Sequence, residues 1–368
     1  MDTNTIAEVS LLSPAQQEIL KSSSSNQARN LGCSQICATI RGALDPAMLQ
    51  RAWETLNEHP LLRTFFIVDN GSAEEAVANT SQTKFRYEPW SRSPENQWKT
   101  LTRTYAHRNR ERGFEVSQRP LARLDVFRTG QSEHQLYLTY LDLLFDEPSA
   151  GILMDRLLTL YAAIDGSKEP SLGYPEFLQF VKTGNSDETK TYWLTSLSDS
   201  VEPSLPISDR PASWTSKVAP AEELFIFQIP PDLSSSLLRT ADTWHTVPTF
   251  LLELATLLAL EMHSPGCAFV MRSVRNCEPA SNSHFMAGSI AHMLPLQIGI
   301  DHSQTGSTWI QSLRSQVAQL EQNSFVTLSD ALNWAGQEAG YVAKCSRFIP
   351  TSLSASQYVS QHYGHLQV

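Results

Sequence analysis

QLYLTYLDLLFDEPSAGILMDRLLTLYAAIDG, residues 135–166, changes its period halfway along, and that change decides how the fold is read. Leu136, Leu138 and Tyr140 alternate with Tyr137 and Thr139, the period of a β-strand with one apolar face. Beyond Ser149, the positions Ile152, Leu153, Leu157, Leu160 and Tyr161 recur at helical spacing. Between them, Leu141 to Ser149 forms a short acidic loop held at both ends by buried elements. Pro148, Ser149 and the apolar run after them predict a helix start, with the Ser149 hydroxyl as cap.

Working outward toward the N-terminus, Leu121–Phe127 reads as a strand and Glu95–Arg110 as a polar helix. Leu62–Val68 reads as a strand that meets Asn70-Gly71, the pair favoured in two-residue hairpin turns. The helix before it is sharply marked: Asp45 caps, Pro46 opens the first turn, and Leu49, Ala52, Trp53 and Leu56 share a face expected to pack on the sheet containing 62–68. Cys33–Ile40 alternates as a strand, and Ser13-Pro14 opens a short helix to about Lys21. Toward the C-terminus, Gly173–Leu197 holds an aromatic helix ending in Tyr192 and Trp193. Val201–Glu223 is rich in Pro and Ser without periodicity, as a connection between lobes would be. Strands follow at Leu224–Ile229, Ala268–Val274 and Leu294–Ile300, with helices at Pro230–Thr240, Pro248–Met262 and Trp309–Gln322.

This order predicts an α/β or α+β chain, and its 368 residues suit two lobes better than one core. The expected division is an N-terminal lobe at 1–180, a helix and inter-lobe connection at 181–223, and a C-terminal lobe at 224–368. With 41% apolar and 18% charged residues the composition is that of a soluble globular protein. Lys plus Arg number 28 against 38 Asp plus Glu, a formal charge of -10, which argues against nucleic acid or an anionic membrane as partner. The longest apolar run, Phe250–Leu260, is interrupted by Glu253 and Thr256 and does not predict a membrane span. MDTNTIAEVS lacks the features of a signal peptide, so a cytoplasmic location is expected. The five cysteines are scattered without zinc spacing; they are expected to be reduced thiols, with Cys33 and Cys37 in the core, and no metal or cofactor is expected. Phosphate loops, dinucleotide fingerprints, zincin helices and serine-hydrolase elbows have no matching motif.

Several stretches, taken together and in order, resemble the condensation domains of nonribosomal peptide synthetases, members of the chloramphenicol acetyltransferase-like superfamily. They are LSPAQQEIL (12–20), LDPAMLQRAWETLNEHPLLRTFF (44–66), RPLARLDVF (119–127), the block around 137–166, Tyr192-Trp193, Asp209-Arg210-Pro211, Ser273-Val274-Arg275-Asn276, and Gly288 through Pro295. The resemblance covers nearly the whole chain. It implies two lobes in a V around a central tunnel, the second lobe shortened, into which carrier-bound substrates enter from opposite faces.

The family's His-His-x-x-x-Asp-Gly motif falls on Leu141, Asp142, Leu143, Leu144, Phe145, Asp146 and Glu147, so both histidines are absent and the Gly is Glu147. The second histidine, which positions or deprotonates the attacking amine in the family, is Asp142 here. Asp146 keeps the motif Asp, which implies a loop-holding salt bridge to an arginine; Arg63 stands at the family's arginine position. Asp146 with Ser149 also resembles the second half of the Ser-His-x-x-x-Asp-x-x-Ser/Thr variant of fungal terminal cyclising domains. In the second half of the chain, Val274 replaces a common Gly and His292-Met293 a common Asn-Thr.

The resemblance therefore implies catalytic roles for Asp142 and His292, and a structural motif of Asp146, Ser149 and Arg63. It implies tunnel positions for Leu141, Tyr140, Glu147, Arg275 and Ser289. Arg275 is also a candidate for an ion pair or for an acidic substrate, and Glu147 for a solvated loop tip. A carboxylate beside Leu141, Leu143 and Leu144 is partly desolvated, which raises its pKa from the ordinary ~3.9 and makes it a stronger base. The expected function is an atypical, fungal-type condensation enzyme that closes amides or rings on a carrier-bound or released peptidyl or polyketide intermediate, largely by orienting it. The rival readings are a catalytically silent domain that docks a carrier protein or tailoring enzyme, and a stand-alone coenzyme A-dependent acyltransferase.

Overall fold

Capping chemistry and strand register place the acidic loop. The computed structural model describes residues 6–23, 32–69, 72–89, 95–162, 174–183, 186–198, 229–263, 268–277, 286–298, 303, 305–337, 346–347, 362–363 and 366–367. In chain order these form β1 (Ile6–Ser10), α1 (Pro14–Ser23), β2 (Cys33–Arg41), α2 (Pro46–Leu56), β3 (Thr64–Asp69), β4 (Ser72–Ala78), β5 (Phe85–Pro89), α3 (Glu95–Arg112), β6 (Ala122–Arg128) and β7 (Glu133–Leu141). There follow α4 (Glu147–Tyr161), α5 (Tyr174–Thr183), α6 (Asp187–Ser198), α7 (Pro231–Thr243), α8 (Pro248–His263), β8 (Ala268–Val274), β9 (His292–Ile298), α9 (Gly306–Gln322), α10 (Leu328–Trp334), β10 (Ser346–Arg347), β11 (His362–Tyr363) and β12 (Leu366–Gln367).

The main sheet has the order β11-β12-β2-β7-β6-β5. Its central pair, β2 and β7, is antiparallel with Cys33 opposite Leu141 and Arg41 opposite Glu133, so the start of β2 lies beside the end of β7. One face carries Leu136, Leu138 and Tyr140 into a core shared with Leu49 and Trp53 of α2 and Leu153 and Leu157 of α4. A second cluster joins α8, β8, β9 and α9 through Leu254, Met271, Leu294 and Leu313. The sheet β10-β8-β9 belongs to that side.

The expected caps are present: the Asp45 carboxylate accepts from Ala47 N and Met48 N, and Leu49, Ala52, Trp53 and Leu56 are buried. Ser13 and Gln16 form a reciprocal capping box, Gln16 N to Ser13 Oγ at 3.1 Å and Ser13 N to Gln16 Oε1 at 2.8 Å.

Some elements differ from the sequence reading. The strand expected at 62–68 starts at Thr64, because Pro60 opens a 3-10 turn over Pro60–Arg63. It pairs with β4, Asp69 opposite Ser72, a register that leaves 70–71 as the connection; those two residues lie outside the described ones. These strands form a separate sheet, β1-β4-β3, whereas α2 packs on α4 and β5 and donates from Trp53 Nε1 to Lys84 O at 3.2 Å. The aromatic helix of 173–197 is two helices, α5 and α6. Tyr174 and Phe177 of α5 pack on Cys277, Met286 and Phe325, and Trp193 of α6 lies in the second cluster, so both helices pack on the second half of the chain. The connection at 201–223 and the strand at 224–229 lie outside the described residues. Cys37 is exposed and Cys33 half-buried rather than core, and burial pushes the Cys33 thiol up to about 11. Among the described residues, no helix is long and apolar enough to cross a membrane.

One buried group gives the fold a pH dependence. Glu75 on β4 is 3% exposed, and burial raises its carboxyl from 4.5 to about 7. Between those values the folded state keeps a proton that the unfolded chain has released. The stabilisation is complete below pH 4.5 and is lost as pH rises through about 7. Glu75→Gln removes this slope: denaturant titrations at pH 5 and pH 8 are expected to differ by about 2.5 kcal/mol less in the variant than in the parent chain.

Candidate functional site

The loop between β7 and α4 is fixed from both sides. Asp146, not Ser149, caps α4: its Oδ1 accepts from Ser149 N at 3.0 Å, and Pro148 sits in the first turn, where a missing N–H is tolerated. Ser149 is therefore inside the helix, and its hydroxyl does something else. It donates to Asp146 Oδ1, lies 3.0 Å from Gly288 O, and accepts from Gly288 N at 3.0 Å. Asp146 N donates to the same Gly288 carbonyl at 3.1 Å.

The second carboxylate oxygen of Asp146 carries the charge pairing. Arg275 Nε donates to Oδ2 at 2.9 Å, and Ala291 N to the same atom at 3.0 Å. The Asp146 side chain is 9% exposed and that of Arg275 20%. Arg275 also donates to Met286 O at 2.6 Å. The arginine that meets Asp146 is thus Arg275. Arg63 instead donates to the carbonyls of Glu58 and Ala78, tying the 3-10 turn to the end of β4.

Asp142 has quite different surroundings. Its N–H donates to Gly32 O at 2.9 Å, and Ser289 Oγ lies 3.4 Å from its carbonyl oxygen. Burial raises its carboxyl above the usual range, and hydrogen bonds from the Ser34 side chain and backbone partly offset this. Gly32 makes room for the carboxylate: a Cβ there would collide with Asp142 Oδ2. No salt bridge involves Asp142 among the described residues.

The other expected site residues divide sharply. Leu141 and Tyr140 are 0% and 1% exposed, Tyr140 stacking on Phe145 at 4.3 Å, so both belong to the packed core and present no surface to a passage. Alternation on β7 turns Tyr140 inward, and Leu141 is enclosed where the loop folds back. Ser289 is likewise buried, its carbonyl accepting from Ser13 Oγ at 2.6 Å. Glu147 is exposed at the loop tip.

His292 opens β9, with Nδ1 3.0 Å from Ile290 O and Nε2 buried. Burial lowers its pKa, favouring the neutral ring. Ile290, Ser324, Glu18 and Val326 act on its titration, whereas Ser34 is the group that acts on Asp142 against its burial.

Sequence reasoning missed Gly32, Ser34, Gln16 and Glu75. Gln16 is visible in hindsight as the fourth residue of a Ser-x-x-Gln capping box. Ser34 and Gly32 carry no local signal, since only the register of β2 on β7 brings them to Asp142.

A family model described as the condensation domain matches residues 6–335. One subunit of the linear gramicidin synthase of Brevibacillus parabrevis is 24% identical over 339 residues, covering 90% of this chain and 7% of that protein. A plipastatin synthase subunit of Bacillus subtilis (strain 168) is 23% identical over 351 residues, covering 92% of this chain and 14% of its own. The chain thus spans a small fraction of these synthetases. Among solved structures, the first condensation domain of the calcium-dependent antibiotic synthetase, in complex with a substrate analogue, superposes with TM-score 0.74 at 18% identity, covering 93% of this chain and 80% of that one. The condensation domain of the Monacolin K polyketide synthase MokA gives 0.75 at 16% identity, covering 91% and 78%. These structural likenesses are likenesses of fold, and they agree with the two-lobed mixed α and β architecture that the resemblance implied.

Removing one partner of the Asp146–Arg275 pair leaves a buried charge without its counterpart. Arg275→Met is expected to cost about 3–5 kcal/mol in urea denaturation, while the double change Asp146→Asn with Arg275→Met is expected to cost less than Arg275→Met alone.

Proposed function

This chain belongs to the condensation-domain family, and we propose that it is an atypical condensation enzyme of nonribosomal peptide or polyketide-peptide biosynthesis in which Asp142 serves as the base. The observation that carries this reading is the contrast within one loop. Asp146 is committed to a cap and an arginine, whereas Asp142, four residues earlier, is a partly desolvated carboxylate with no cation beside it among the described residues. The family resemblance puts that carboxylate where the histidine base would stand.

In this reading the substrate acyl group arrives as a thioester on a carrier protein. An amine, hydroxyl or acidic carbon attacks the thioester carbonyl and gives its proton to the Asp142 carboxylate. The new acyl bond forms, the C–S bond breaks, and Asp142 passes the proton it took to the departing sulfur, so that the carrier leaves as its thiol and the carboxylate is restored. Amide formation and ring closure differ only in whether the nucleophile is on a second molecule or on the same one. Holding the two reacting groups together supplies much of the rate, so a carboxylate weaker than histidine suffices as base. Ser34 orients that carboxylate, and Gly32 leaves the space it occupies.

A second reading has an observation of its own. His292 is held through Nδ1 at Ile290 O and burial favours its neutral ring, while the side-chain partner of Asp142 is Ser34, and among the described residues no hydrogen bond joins the two. On that reading the domain is silent and docks a carrier protein or tailoring enzyme.

Reconstitution with a carrier-bound substrate separates the two. Asp142→Asn keeps shape but not basicity, and is expected to lower kcat by roughly 10²–10⁴-fold with little change in KM. Turnover that Asp142→Asn leaves unchanged removes Asp142 from the mechanism, whereas absence of turnover in the parent chain favours the docking reading, which a pull-down with candidate carriers then measures. Because the base must be ionised, kcat/KM is expected to fall on the acid side at a higher pH than an ordinary Asp would give. Gly32→Ala is expected to reduce turnover by displacing the Asp142 carboxylate while leaving the denaturation midpoint nearly unchanged.

A further inference from the structure

Beneath the acidic loop lies a second carboxyl that acyl transfer leaves without a role. Glu75 comes from β4, in the small separate sheet, yet its Oε2 accepts from Gln16 Nε2 at 2.7 Å. The same nitrogen donates to Leu143 O at 3.1 Å, and Gln16 Oε1 accepts from Ser13 N at 2.8 Å. The Gln16 amide is therefore fully committed: its oxygen to α1's own cap, one proton to Glu75 and the other to the residue that follows Asp142. Both side chains are buried, Gln16 at 0% and Glu75 at 3% exposure.

The consequence falls on the backbone of Asp142. Its N–H is held by Gly32 O at 2.9 Å, Ser289 Oγ stands 3.4 Å from its own carbonyl, and the carbonyl of Leu143 is held by Gln16. We propose that Gln16 and Glu75 are positioning residues, through which the buried Glu75 carboxyl sets the Leu143 carbonyl and thereby the presentation of Asp142. This rests on the reading of Asp142 as the base.

A carboxyl suits that task differently from a neutral amide. Protonated, Glu75 offers Gln16 an ordinary acceptor; ionised, it draws the amide more strongly and competes with the Leu143 carbonyl for its orientation. Its proton equilibrium lies near neutrality, at about 7, because burial outweighs the hydrogen bond from Gln16. The other titratable groups bearing on it are Glu8 from β1 and Tyr174 from α5, itself buried with Gly288 against its ring. The loop is thus coupled to a proton far from it in sequence, on a strand of the separate sheet.

Carboxyl-carbon NMR on aspartate-labelled protein tests the coupling without any substrate. In the parent chain the Asp142 γ-carbon is expected to show, besides its own titration, a second inflection with the Glu75 midpoint at about 7. Glu75→Gln, which keeps the acceptor but not the titration, is expected to lose that inflection and retain the rest. Persistence of the inflection in Glu75→Gln, or its absence from the parent chain, overturns the proposal. Gln16→Leu, where it folds by circular dichroism, is expected to abolish the inflection while Glu75 still titrates; an unchanged inflection also overturns it. The outcome is independent of whether Asp142→Asn retains turnover, so failure of the positioning role and failure of the base assignment are told apart.

Discussion

The ion pair between Asp146 and Arg275 is the interaction on which the rest of the site depends. Removing two charges from water is expensive, and the mutual attraction offsets that only when the remaining lone pairs and protons are also satisfied. Here they are: one carboxylate oxygen takes the Ser149 N–H and hydroxyl, the other takes Arg275 and the Ala291 N–H, and the guanidinium is further held by Met286 O. Because Asp146 starts a helix from the first half of the chain and its partners lie between Arg275 and Ala291, the pair also locks the two halves in one relation. Gly288, against which the Tyr174 ring packs too closely for any side chain, brings the two backbones near enough for this.

Two carboxylates four residues apart thus serve opposite ends. In Asp146 the charge is spent on architecture and surrounded on all sides. Asp142 is oriented by Ser34, and its burial favours the protonated form. The difference is one of environment and not of residue type. The pair that holds Asp146 thus fixes the loop four residues after Asp142.

Local signals make much of this legible. The change of period at 135–166, the Asp45-Pro46 start and the alternation at Cys33–Ile40 each correspond to an element of the fold, because each rests on neighbours in sequence. Ser149 reads as a cap from sequence because both it and Asp146 are good capping residues, and the choice between them is made by Gly288 and Arg275 from the far half of the chain. The family motif begins at Leu141, directly after Tyr140, and the resemblance so points both toward a tunnel, but strand alternation and packing on Phe145 enclose them. Gly32, Ser34 and Glu75 are hidden from sequence reasoning for a common reason: each meets the loop through strand pairing or tertiary packing, which no sequence window contains. The break between α5 and α6 is hidden because both carry aromatic residues, Tyr174 and Phe177 in the first and Tyr192 and Trp193 in the second.

The pairing of β12 with β2, Gln367 opposite Arg41, has a consequence for the order of assembly. A chain made from its N-terminus exposes the outer edge of β2 from early in synthesis, and the strand that pairs with its Arg41 end emerges only after everything between. Until then the first sheet presents an open edge, the kind of surface that recruits other strands. At Arg41, the end of β2 farthest from the acidic loop, that edge therefore gains its partner late in the growth of the chain, from residues that follow the whole of the second core in sequence.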